Sequence, residues 1–147
     1  MEQVILTEKN FNKLKNLVKK NEDKEIIFVS DDDELNRKVM EKLIVSVVLI
    51  PLFGRKDYMK QRNSGFNQVM AKIAKKKEIS IGVDFDELVF SREKDKIFAR
   101  LKQNIILCNK NKVQIKFIFG KIKRDNYCVK SLGLVLGMPT WMIKNLT

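Results

Sequence analysis

Across residues 62–89 the apolar residues change period once, from helical to strand-like, and that switch restricts the chain to an architecture in which helices pack on a sheet. Ser64 reads as a helix N-cap, because its hydroxyl can accept a backbone N–H of the first turn. Phe66, Val69, Met70, Ile73 and Ala74 recur at three- and four-residue spacing and form one apolar helix face. Gln68, Lys72, Lys75 and Lys76 fall mostly on the other face, and Lys75-Lys76-Lys77 places cations at the negative end of the helix dipole. Ile79 to Phe85 then reads as a buried-type strand. A helix between two such strands is the βαβ unit of a parallel sheet.

The rest of the chain repeats the unit. Strands are expected at residues 3–7, 25–30, 45–52, 79–85 and 113–119. The third is continuously apolar except Ser46, as for a strand covered on both faces. The fifth alternates Val113, Ile115, Phe117 and Phe119 with Gln114, Lys116 and Ile118, so one of its faces is at least partly wet, and a sheet edge would suit Lys116. Phe11, Leu14, Leu17 and Val18 predict a helix capped by Asn10; Leu35, Val39, Met40 and Leu43 predict another that begins at Ser30, Asp31 and Asp32. Asp86, Glu87 and Leu88 open a short turn. Ser91 is the expected cap of a longer helix that turns Ile97, Leu101, Asn104, Ile105 and Cys108 inward. Helices over 127–137 and 140–145 close the pattern. Residues 53–63 form the longest loop of the first half, and a loop of that length in a compact domain is often functional. The fold class is therefore α/β, with about five mainly parallel strands in one domain spanning residues 1–147.

The charge bounds the function. A net +12 in 147 residues points to a polyanionic partner. The charge is also uneven. Residues 21–43 carry eight acids against four cations, whereas residues 55–77 carry eight cations against Asp57 alone, and residues 109–130 seven against Asp125 alone. Both basic segments contain a loop that follows a strand. In a parallel sheet such loops share the rim at the strands' C-terminal ends, so Arg55, Lys56, Arg62, Lys121, Lys123 and Arg124 are expected on one surface. The basic loops hold only Tyr58 and Tyr127 as aromatics, which favours phosphate contacts to a folded RNA over stacking along a single strand.

Other chemistries fit less well. The chain has no histidine, which excludes histidine-dependent triads, histidine general bases and nearly all histidine-ligated metal sites. Cys108 and Cys128 belong to no CxxC motif, so reduced thiols are expected. Asp84 and Asp86 could pair around a magnesium ion, but Asp86-Glu87-Leu88 also reads as an ordinary helix start, as does Asp31-Asp32-Asp33. Gly133 and Gly137 fit close helix packing, and Trp141 fits a cover over the core or a partner contact. The opening Met1-Glu2-Gln3 lacks a basic leader start and the longest apolar run, 43–54, is short for a bilayer, so a cytoplasmic protein with no membrane partner is expected.

Several separated motifs carry a family resemblance. They are the Arg/Lys-x-SG-x-N-x-V-x-AK-x-A core at residues 62–74, Ile81-Gly82-Val83, the Ala99-Arg100-Leu101, Gln103-Asn104-Ile105 and Leu107-Cys108 series, and the run 132–138. Together, and in this order, they resemble ribonuclease P protein component 3, the archaeal and eukaryotic thirty-kilodalton subunit family. The resemblance implies a TIM-barrel-like (β/α) fold and a non-catalytic, RNA-binding role, with no active site and no cofactor or metal of its own. It implies ribonuclease P RNA and ribonuclease P protein component 2 as partners, a possible dimer of such pairs, and precursor tRNA as an indirect partner. Lys38, Arg55, Lys56, Arg62, Lys77, Lys123, Arg124 and Lys144 are the expected RNA contacts, Lys38 and Lys144 on family similarity. A complete eight-stranded barrel takes about 250 residues, so the chain is expected to begin near the family's third strand, one or two βα units short. Three arrangements stay open: an open crescent, closure with fewer strands, or completion by another chain. The alternative function is a metal-dependent phosphoesterase of the polymerase-and-histidinol-phosphatase type, which the absence of histidine disfavours. A small-molecule α/β binding protein is disfavoured by the charge.

Overall fold

The computed structural model describes residues 2–147; Met1, the first residue of the Met1-Glu2-Gln3 opening, lies outside them. Five strands alternate with helices: β1 (Gln3–Leu6), β2 (Glu25–Val29), β3 (Val47–Leu49), β4 (Ser80–Asp84) and β5 (Ile115–Ile118). All four pairings are parallel and the spatial order follows the chain, β1-β2-β3-β4-β5. The helices are α1 (Phe11–Lys20), α2 (Asp33–Lys42), α3 (Gln68–Lys77), α4 (Phe85–Phe90), α5 (Lys94–Asn111), α6 (Asn126–Val135) and α7 (Thr140–Ile143). Among the described residues no helix is long and apolar enough to cross a membrane.

This is an arc of a (β/α) barrel. The main core lies between the sheet and its helices: Phe28, Val48, Ile81 and Ile115 from the strands meet Leu14, Val39, Met70 and Leu101 from α1, α2, α3 and α5. The opposite, inner row builds a second and smaller cluster of Ile27, Val47 and Leu49, flanked by Val29 and Ile118. Gly82 belongs to this inner row. A Cβ there would meet Val47 Cγ1 at 2.9 Å and Leu49 Cβ at 3.1 Å, so glycine keeps β4 close to its neighbours.

Lys116 lies on the edge strand β5, as expected, but its ammonium is paired rather than free in solvent. Its Nζ lies 3.4 Å from Glu25 Oε1, and Glu25 Oε2 accepts from Gln3 Nε2 at 2.8 Å, which makes a polar belt across the inner face. The Gln3 hydrogen bond and the Lys116 charge lower the Glu25 pKa from its ordinary value. In a flat sheet β2 and β5 would stand about 14 Å apart. A lysine on one reaches a glutamate on the other because the sheet curls.

The arc does not close, since β1 and β5 do not pair. The outer edge of β5 is covered by the chain's last residues: Phe117 N donates to Leu146 O at 2.8 Å and Gln114 Nε2 to Met142 O at 2.7 Å. No described strand covers the outer edge of β1, and Ile5 on its inner row is 57% exposed.

Several local expectations are corrected. The cap of α3 is Asn67, whose side chain accepts from Met70 N at 3.0 Å, and not Ser64. Ser64 is buried and bonds both the N–H and the carbonyl of Phe66. Val69 is exposed, and the buried face of α3 is Met70, Ala71 and Ala74. Asp32, the last of the three residues expected to begin α2, caps it, whereas α5 starts at Lys94 with no side-chain cap bond and Ser91 is not its cap. Gly133 packs against Ile143 and Leu146, as expected, but Gly137 lies past the end of α6 at a φ of 84°, a left-handed conformation that glycine adopts at little cost.

The open edge has a measurable consequence. Amide hydrogen exchange should be faster at residues 4–6 than at 47–49, where neighbouring strands cover both edges. Equal protection of the two strands in the isolated monomer would mean that something else seals β1.

Candidate nucleic-acid interface

The longest loop is built from the inside by two arginines. Arg100, in α5, is 1% exposed. Its Nη1 donates to Leu52 O at 2.7 Å, its Nη2 to Arg55 O at 2.8 Å and its Nε to Asp57 Oδ1 at 3.1 Å. A buried guanidinium requires such partners, because it has five donors and no way to neutralise itself. Asp57 then passes the order outwards. Its Oδ2 accepts from Arg62 Nη1 at 2.8 Å and its Oδ1 from Asn63 N at 2.9 Å. The hydrogen bond from Arg100, then those from Arg62 and Asn63, hold the Asp57 carboxyl well below the usual carboxylate range.

Arg55 fastens the other side of the loop. It makes a two-pronged pair with Asp33, both N···O distances 3.0 Å, and its Nε donates to Pro51 O at 2.6 Å. Its side chain is 8% exposed. Arg55, expected among the exposed cations of the rim surface, is therefore corrected to a largely buried support of the loop. Its guanidinium lies on Gly65, where a Cβ would come within 2.5 Å of Arg55 Nη2 and where φ is 72°. The Ser-Gly-x-Asn core thus has a local cause: a buried serine, a glycine under Arg55, and the cap of α3.

The second basic loop follows β5. Lys121 N donates to Asp86 Oδ2 at 2.9 Å, and Asp125 caps α6 by accepting from Cys128 N at 2.8 Å, which leaves Lys123 and Arg124 exposed between two fixed points. Phe53 from the first loop and Lys121 from the second line one depression beside α4, so the two loops do share a rim. Lys56 and Arg62, like Lys123 and Arg124, are exposed on these loops. The other expected contacts lie elsewhere. Lys38 is on α2 with its Nζ 4.2 Å from the centre of the Phe11 ring. Lys77 ends α3, at the opposite rim, and Lys144 follows α7.

The carboxylates of that depression serve the backbone. Asp84 caps α4 and accepts from Asp86 N at 3.0 Å, Asp86 holds Lys121 N, and Glu87 Oε2 accepts from Leu52 N at 3.0 Å. Burial is the main cause that raises the pKa values of Asp84 and Glu87. Among the described residues no group of three or more Cys, Asp or Glu is placed to hold a metal ion. Burial pushes the Cys108 thiol up to about 12, and Cys128 is exposed.

Sequence reasoning passed over Arg100 and Gln103 as parts of this surface. Gln103 Nε2 donates to Arg62 O at 3.0 Å and so ties the loop to α5. The signal for Arg100 was its spacing: it lies on the stripe of Ile97, Leu101 and Asn104, an arginine on an apolar helix face.

No protein-family model matches the chain. Ribonuclease P protein component 3 of Methanococcus maripaludis (strain C7 / ATCC BAA-1331) is 28% identical over 138 residues, which cover 91% of this chain and 56% of that protein. The fold matches a chain in the cryo-EM structure of archaeal ribonuclease P with mature tRNA, with a TM-score of 0.80 and 21% identity, over 97% of this chain and 62% of that one. The component 3 resemblance is borne out. The chain spans a little over half the length of the curated component 3 protein. The stretch 62–74, which carries the resemblance, coincides with the clamped loop end and α3, where Arg55, Asn63 and Asn67 set the backbone.

The clamp carries a pH signature with a definite sign. Asp57 has a depressed folded pKa, so its contribution is complete above the unfolded carboxylate value of about 3.9 and is lost as pH falls towards the folded one. Urea midpoints of the protein and of Asp57→Asn should differ by a constant amount above about pH 5. The gap should narrow steadily below about pH 4. A gap that holds unchanged down to pH 2 would show that Asp57 is not paired in this way.

Proposed function

We propose that the chain is a non-catalytic, RNA-binding protein subunit of ribonuclease P that supports the catalytic RNA in 5′ maturation of precursor tRNA. The observation that carries this reading is the clamped basic rim on a component 3-like fold. Lys56, Arg62, Lys123 and Arg124 stand exposed on two loops that are fixed from within, so the rim can meet phosphates without first ordering itself. The name of the curated relative and the assembly in which the matching fold occurs support it. The partners are ribonuclease P RNA, ribonuclease P protein component 2 and, through the RNA, precursor tRNA; two such pairs assemble as a dimer, in the cytoplasm. Lys38, Lys77 and Lys144 are contacts to a second stretch of RNA backbone, since they lie away from the rim loops.

Phosphate contacts have a salt signature. Lys56→Ala, Lys123→Ala and Arg124→Ala together should leave thermal unfolding unchanged, because all three side chains are exposed and Arg55 and Arg100 are untouched. They should reduce the slope of log affinity against log salt by about two to three for a folded ribonuclease P RNA. An unchanged slope and affinity would show that these side chains are merely solvated.

A further inference from the structure

Beside the clamped loop lies a cleft of about 440 Å³ that, of the rim cations Lys56, Arg62, Lys123 and Arg124, Arg62 alone lines. That is within the range of small-ligand pockets, about 300–1,000 Å³. Its floor is the buried pair Phe66 and Met70, and its walls carry Tyr58, Arg37 and Arg62 beside the carboxylates of Glu34 and Asp33, the latter already paired with Arg55. Carboxamides surround it: Asn63 is spent on the loop backbone, but Gln61, the Nδ2 of Asn67 and the Oε1 of Gln103 have no partner among the described residues. Two further depressions adjoin it, and both share Gln61 and Gln103 with it, so the cleft is one station on a continuous surface. Lys102 borders one of them and Lys60 the other.

The chemistry of the walls is specific. Tyr58 is 60% exposed and joins neither hydrophobic cluster, so the fold does not use its ring. Arg62 gives one Nη to Asp57 and its side chain remains 46% exposed, so it is aimed by the clamp with donors to spare. Arg37 is tied only through Nε, to Glu41, and is 53% exposed. An aromatic face, oriented guanidiniums and carboxamides are the groups that take a splayed-out nucleotide: the ring stacks, the amides meet base edges, the guanidiniums meet phosphate. A duplex offers its phosphates but keeps its base faces stacked. An acidic peptide would use the guanidiniums and leave the ring and the amides idle.

We propose that this cleft binds a single unpaired nucleotide of a folded RNA, with the base against Tyr58 and its phosphate at Arg62 and Arg37. The proposal rests on the RNA-binding reading above and adds to it a site for an unpaired base. The adjoining depressions let the strand enter and leave along Lys60 and Lys102.

The test compares two RNAs of matched length, a hairpin with a one-nucleotide bulge and the same hairpin fully paired. The protein should bind the bulged hairpin about tenfold more tightly. Tyr58→Ala should abolish that preference while affinity for the paired hairpin stays the same, and Tyr58→Phe should keep it, because stacking needs only the ring. The Lys123→Ala, Arg124→Ala variant should weaken both RNAs alike and preserve the ratio. A wild-type protein without preference, or a Tyr58→Ala variant that retains it, would overturn the cleft assignment and leave RNA binding standing. Failure to bind either hairpin would overturn both.

Discussion

Three N–H groups of Arg100 leave the buried face of α5 to hold Leu52, Arg55 and Asp57, and the first of the two loops of the basic rim is set by those bonds. Desolvating a guanidinium costs several kcal/mol, so the loop that supplies its acceptors cannot wander without exposing that cost. The constraint then spreads. Asp57 orients Arg62 and pins Asn63, while Arg55 locks the near end of the loop to Asp33 across the top of α2. Two arginines are thus consumed in structure, and Lys56 and Arg62 remain for a partner on a surface that is already fixed.

The same division of labour runs through the inner face. Gln3, Glu25 and Lys116 form a polar belt in the hollow of the arc, next to the small cluster of Ile27, Val47 and Leu49. The belt satisfies the groups that a partial barrel leaves in its lumen, and the curl that brings β5 near β2 also gathers the strand ends of one rim. The chain's last residues cover β5 through Leu146 and Met142. The fold therefore protects one edge with its own backbone and leaves β1 as the accessible one.

Most of the architecture was legible because it follows from period. All five strands, the inward stripe of α5 and the wet alternation of β5 were readable from apolar spacing alone. What escaped depends on contacts distant in sequence. Arg55 looks like a surface cation until Asp33, twenty-two positions earlier, is seen to meet it, and Lys116 shows its partner Glu25 only once the sheet curls. Ser64 has the chemistry of a cap, but Asn67, three residues on, has it too, and the Gly65 turn under Arg55 decides between them. Both rim loops were placed correctly because a parallel sheet leaves no other place for them. The cleft at Tyr58 was not visible, since its walls come from α2, the loop, α3 and α5.

The dependence of the rim on a residue that never faces it can be measured directly in Arg100→Met, which keeps most of the buried stem and removes the charge. Amide exchange across residues 53–63 should accelerate, stability should fall on the order of 3 kcal/mol as when a buried charge network is broken, and RNA affinity should drop although no rim cation has changed. Protection of β2, β3 and β4 should stay the highest in the molecule. Loop exchange and RNA affinity that remain at wild-type values in this variant would contradict the claim that Arg100 sets the interface.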